Sequence, residues 1–90
     1  MKARRSNPVL SPEYSALLGV LIARRLGAGV SQRELARRIR RSNSHVSMIE
    51  NGQRRIELLE FYEIAQALGV SPAGMFAEIV DQLGHLHPTD

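Results

Sequence analysis

The 90-residue chain has no cysteine and no tryptophan, and its aromatic residues are only two tyrosines and two phenylalanines. Without cysteine there is neither a disulfide framework nor a thiolate metal site, which fits a reducing interior and makes cytoplasm the default location. Long apolar runs are missing too. The longest, Ala16 to Ala23, is eight residues including Gly19, far below the roughly 20 needed to cross a bilayer. The N-terminal Met-Lys-Ala-Arg-Arg carries positive charge, but no apolar stretch or small-residue cleavage site adjoins it, so no secretory leader is expected. No strand pattern, internal repeat or low-complexity tract is visible. Ninety residues suit one domain of modest stability.

Basic residues are absent from the second half. All twelve Lys and Arg lie at or before Arg55, where only Glu13, Glu34 and Glu50 oppose them, a net +9; residues 56–90 hold six carboxylates and no Lys or Arg, a net −6. The overall +3 is thus the remainder of two opposed halves. A basic half suits a polyanion-binding face, and an acidic half suits packing and solvation behind it.

Helical periodicity accounts for most of the chain. Residues 1–10 read as a flexible basic arm, and Ser11-Pro12-Glu13 supplies a cap, a first-turn proline and a favourable charge for a first helix. Leu17, Leu18, Leu21, Ile22 and Leu26 recur at three- and four-residue steps before Gly27-Ala28-Gly29. Ser31 and Glu34 have capping-box spacing at the start of a second helix. That helix carries Leu35, Ala36 and Ile39 on one face and Arg33, Arg37 and Arg40 on another. Ser42 can cap a third helix with Val46 and Ile49 inward and Asn43, Ser44, Ser47 and Met48 outward; Asn51-Gly52 closes it. A fourth helix places Leu58, Phe61, Ile64, Ala65 and Leu68 at helical spacing. Ser71-Pro72 opens a fifth, with Met75, Phe76, Ile79, Val80 and Leu83. The domain is expected to span 11–83, with a polar tail over 84–90.

The second and third helices are separated by a turn of about three residues, the signature of a DNA-reading helix-turn-helix. Ala36 suits this geometry, because a bulky side chain there would hold the third helix away. Catalysis is not expected: Ser44, His45 and Glu50 share one short exposed helix and enclose no cleft. His45 is expected at the protein–DNA edge. His85 and His87 lack further ligands at metal spacing, so neither metal nor cofactor is expected. Tyr14, Phe61, Tyr62 and Phe76 are spread over three helices and do not form a base-stacking platform.

From Leu17 to Ile79 the chain resembles the Cro/repressor-type, XRE-like family of lambda repressor-like helix-turn-helix proteins. The resemblance is carried by Arg25, Ser31-Gln32, Glu34-Leu35-Ala36, Val46-Ser47, Ile49-Glu50-Asn51-Gly52, and Ile64-Ala65 through Ala67-Leu68-Gly69-Val70-Ser71. It implies an all-α, five-helix fold and a non-enzymatic transcriptional regulator of double-stranded DNA. It also implies that Gln32 binds a phosphate at the start of the second helix, that Asn43, Ser44, Ser47 and Met48 face base edges, and that Arg25 and Glu50 form a buried salt bridge. Relatives commonly place Gly and then an apolar residue where this chain has Arg40 and Arg41. A left-handed Arg40 would cost about 1–2 kcal/mol. Met48 stands where relatives often carry a polar or basic side chain, so readout there would be apolar contact.

Together these features lead to the expectation of a repressor-type homodimer on a palindromic operator. Gln32, Arg33, Arg37, Arg40, Arg41, Arg54 and Arg55 are its phosphate contacts. Lys2, Arg4 and Arg5 suit either an arm on the same duplex or a frayed, solvated terminus. Met75, Phe76, Ile79, Val80 and Leu83 on the fifth helix are the expected dimer interface. The alternative is an antitoxin-like module whose last helix grips a second protein.

Overall fold

The computed structural model describes residues 10–87. Five helices follow one another: α1 Pro12–Gly27, α2 Gln32–Ile39, α3 Asn43–Glu50, α4 Leu58–Ala67 and α5 Pro72–Leu86. The described chain is all-α, without strands. Lys2, Arg4 and Arg5 lie outside the described residues.

Short polar side chains start the helices by accepting otherwise orphaned amides. Ser11 accepts from Tyr14 N at 3.0 Å, Ser31 from Glu34 N at 3.0 Å, Ser42 from His45 N at 3.1 Å and Ser71 from Gly74 N at 3.0 Å. The capping box expected at Ser31 and Glu34 is only half made. Glu34 turns its carboxylate to Arg38 Nε at 2.8 Å and to the guanidinium of Arg37 instead. A charge-assisted contact with a guanidinium outcompetes a return to a backbone amide. At α4, by contrast, the backbone N–H of Glu57 reaches Glu60 Oε1 at 3.4 Å.

The first four helices end in the same way. The amides of Val30, Arg41, Gln53 and Val70 reach back to the carbonyls of Arg25, Ala36, Met48 and Ala65 at 2.9–3.2 Å, the six-to-one bond of a Schellman motif. In three of them the left-handed residue is glycine: Gly29, Gly52 and Gly69. In α2 it is Arg40, at φ 59° and ψ 46°.

The core is one cluster drawn from all five helices, with Leu21, Leu35, Val46, Ile49, Ile64, Met75 and Ile79 fully enclosed. Helix α5 lies along α1, α3 packs on α2, and α4 bridges α2 and α5. Arg24 joins α1 to α5 through a bidentate pair with Glu78, both contacts at 2.7 Å. Periodicity placed Leu26 and Leu58 on apolar faces, yet both are exposed, each in a terminal turn of its helix. The fifth helix continues to Leu86 rather than giving way to a tail at Gly84. Its last turn is tied down by His87, whose backbone N–H meets Leu83 O and whose ring meets Glu13.

Candidate nucleic-acid interface

Helix α3 is anchored by Val46 and Ile49, each 1% exposed. Burying them on α2 fixes which side of the helix remains outside. Asn43 and Ser44 are exposed, Ser47 is partly so, and Met48 is 39% exposed. These four residues form one outward strip. Ser44 Oγ sits 3.2 Å from Ser42 Oγ at the helix start. Among the described residues no other helix crosses the strip, because α3 packs inward, mainly on α2.

The two ends of α3 are held by carboxylates. At its C-terminal end, Glu50 receives Arg25 through two contacts, Nε–Oε2 at 2.6 Å and NH2–Oε1 at 2.9 Å, while Arg25 NH1 donates to Val30 O at 2.8 Å. Both side chains are at least nine-tenths buried. A carboxylate at the negative end of a helix dipole needs such a cation. Gln32 Nε2 also donates to Glu50 Oε1 at 2.9 Å, so the amide nitrogen expected to meet phosphate is occupied inside the protein. At the N-terminal end, His45 is turned inward and bonds Glu60 at 2.6 Å.

Glu60 is only 5% exposed. Burial pushes its carboxyl up. The His45 hydrogen bond, the Glu57 amide and the charges of His45 and Arg54 together outweigh this and hold it below the ordinary carboxylate range. Neither residue stood out as a pair in the sequence. The signal was present in α4, where Glu60 falls four residues before Ile64 on the buried stripe and so demands a partner.

The cations divide into two groups. Arg33 and Arg40 are exposed, and Arg54 and Arg55 follow α3 in the loop before α4. Arg55 stacks over the Tyr14 ring at 4.8 Å, and Tyr14 Oη accepts from Ile56 N at 3.1 Å, so α1 steadies that loop. Arg41 Nε stands 4.0 Å from Glu60. Arg37 is engaged by Glu34, which Arg37 and Arg38 together hold at a pKa of about 2. This pair is exposed and solvent-screened.

The expected dimer residues do not share one surface. Met75 and Ile79 are 1% and 2% exposed. They fill the subunit's own core and are unavailable to a partner, because the inner stripe of α5 is needed to cover α1 and α4. Phe76 and Val80 remain about half exposed and Leu83 is partly covered. Beside them α4 adds exposed Leu58, Leu59 and Tyr62, and a groove lined by Leu58, Leu59, Phe61, Tyr62, Pro72, Ala73 and Phe76 is wholly apolar. Phe76 meets Phe61 edge to face, with ring centroids 6.3 Å apart. The α4 contribution was hidden in the sequence because Leu58 read as core and Leu59 and Tyr62 fell outside the apolar stripe.

A short helix braced at both ends, presenting a polar strip beside a row of arginines, defines a DNA-binding helix-turn-helix domain. The chain belongs to the HTH_3 helix-turn-helix family of XRE-type DNA-binding transcription regulators, whose model matches residues 21–75. It is similar to the XRE-family like protein from Pseudomonas syringae pv. tomato str. DC3000, with 36% identity, 77% of this chain and 84% of that one covered, and a TM-score of 0.73. It is also similar to the clp gene regulator ClgR from Corynebacterium glutamicum, with 28% identity, coverage of 82% and 96%, and a TM-score of 0.71. The restriction-modification controller protein C.Esp1396I shares the fold at 24% identity, coverage of 82% and 96%, and a TM-score of 0.74. No curated protein sequence matches. ClgR is a gene regulator and C.Esp1396I a controller protein.

Proposed function

We propose that the protein is a cytoplasmic, sequence-specific repressor that binds a two-fold-symmetric operator as a homodimer, each subunit laying α3 in a major groove. The observation that carries this is the strip Asn43, Ser44, Ser47 and Met48, open among the described residues, on a helix fixed at both ends. Asn43 is suited to adenine, Ser44 and Ser47 to several base edges, and Met48 to a thymine methyl. Arg33, Arg40, Arg54 and Arg55 grip phosphates. Arg37 and Arg41 join them on exchanging their internal carboxylate contacts for phosphate. Gln32 contributes through its remaining donor capacity and the helix start.

The second copy covers the apolar face of Leu58, Leu59, Tyr62, Phe76 and Val80. These exposed residues are contiguous across α4 and α5, as a two-fold interface requires. The same face would suit the antitoxin-like alternative, in which a different protein takes that place. Selection of duplexes from a random-sequence pool by the purified chain tests the function. A symmetric consensus with half-sites about one helical turn apart is expected; retention of duplexes without any consensus contradicts it.

A further inference from the structure

Helix α3 packs mainly on α2, only slightly on α1 and little on α4, so its N-terminal end needs another means of fixing its tilt. The link present there is polar and passes through a buried carboxylate. His45, in the first turn of α3, meets Glu60 Oε2 at 2.6 Å, and their side chains are 12% and 7% exposed. Glu60 in turn is fastened to the start of α4 through the Glu57 amide at 3.4 Å. The pair therefore ties the first turn of the base-reading helix to the first turn of α4.

We infer that His45 is a positioning residue, not a DNA contact, and that proton uptake on its imidazole tightens the tie to Glu60 and thereby sharpens discrimination between DNA sequences. This rests on the DNA-reading role proposed above for α3. A neutral imidazole donates one hydrogen bond to the ionised carboxylate. An imidazolium adds to that bond the attraction between opposite charges in a partly desolvated site. Asn43 and Ser44 immediately precede His45, so a looser tie lets the residues that approach the bases swing while the far end of α3 stays pinned by Arg25 and Glu50.

The groups facing the pair are Arg41 from the turn before α3, Arg54 and Arg55 from the loop after it, and Glu57 from the start of α4. The arginines keep their charge at every accessible pH, whereas histidine is the residue type that changes charge between pH 5 and 8. Proton uptake also adds a positive charge near DNA and so strengthens binding to every duplex. The ratio of affinities for two duplexes cancels that general effect and isolates positioning.

The test uses the full chain, a duplex selected by the wild type from a random-sequence pool, and a scrambled duplex of equal length, with binding followed by fluorescence anisotropy at fixed salt from pH 8 to pH 6. The selected-to-scrambled ratio of the wild type is expected to rise about fivefold as pH falls. His45→Gln keeps a neutral donor and should give a flat ratio near the wild-type value at pH 8. Glu60→Gln, which removes the charge on the other side, should flatten it as well, providing a second route should the first variant not fold. A wild-type ratio that does not change with pH, or one that rises equally in both variants, overturns the inference while leaving DNA reading intact. A ratio of one at every pH overturns the DNA-reading role itself, and the inference with it.

Discussion

Arg40 and Glu60 show how individual residues carry costs that the fold must offset. A non-glycine side chain at φ 59° costs about 1–2 kcal/mol, part of which glycine would return as unfolded-chain entropy. Arg40→Gly is therefore expected to stabilise the free protein by roughly 0.5–1 kcal/mol in urea titration, while weakening binding to all duplexes through loss of a phosphate contact. Lower stability in that variant would contradict the strain argument. Gly52 is the opposite case: besides φ +84°, a Cβ there would lie 2.6 Å from Leu10 Cδ2, so any side chain must also push the Leu10 side chain aside. Glu60 sets a pH dependence of stability. Its folded carboxyl lies below the ordinary range, so its contribution is complete above the unfolded carboxylate pKa of about 4.3 and is lost as pH falls through the lower folded value. Glu60→Gln should flatten the acid limb of stability against pH, measured by chemical denaturation below about pH 5. An acid limb identical to wild type would show that the buried pair contributes nothing.

Helices were the most legible features of the sequence, because serine caps, the Gly52 and Gly69 stops and the inward pairs Leu35/Ile39 and Val46/Ile49 are local patterns with local causes. The long-range polar ties were less legible. Arg25–Glu50 was available only through family resemblance, and His45–Glu60 depends on how α3 and α4 are brought together by the core. Glu34 followed the competing guanidiniums of Arg37 and Arg38 rather than its cap, a contest that spacing alone does not decide. The strip on α3 was legible from periodicity, whereas the apolar face was assigned to α5 alone because Leu58 could not be told from a core residue. Division of labour between these elements is testable. Asn43→Ala should lower the preference for a selected duplex over a scrambled one, by about 1–3 kcal/mol if a bidentate base contact is lost. Arg54→Ala should weaken both duplexes similarly and reduce the salt slope by about one. Equal losses on both duplexes from both variants would contradict the separation of reading from gripping.

For the whole molecule, the opposed charge of the two halves matches the DNA-facing and assembly sides proposed above. Arg33, Arg40, Arg54 and Arg55 lie in the basic half, and the exposed apolar residues of α4 and α5 lie in the acidic one. Among the described residues no helix is long and apolar enough to cross a membrane. Tyr62→Glu combined with Phe76→Glu should convert a dimer to a monomer of 10.0 kDa in analytical ultracentrifugation and retain helical content; a wild type already monomeric at high micromolar concentration would remove the dimer from the proposal. Four phosphates neutralised per subunit would give the dimer a log-log salt slope of about −7, and a slope near zero would remove the electrostatic part. The most direct test of α3 as the reading element is to select duplexes from one random-sequence pool in parallel with the wild type and with Asn43→Ala. The expected result is a symmetric wild-type consensus that loses its preference at one position in each half-site when Asn43 is changed. An unaltered consensus in the variant, or none with the wild type, would contradict it.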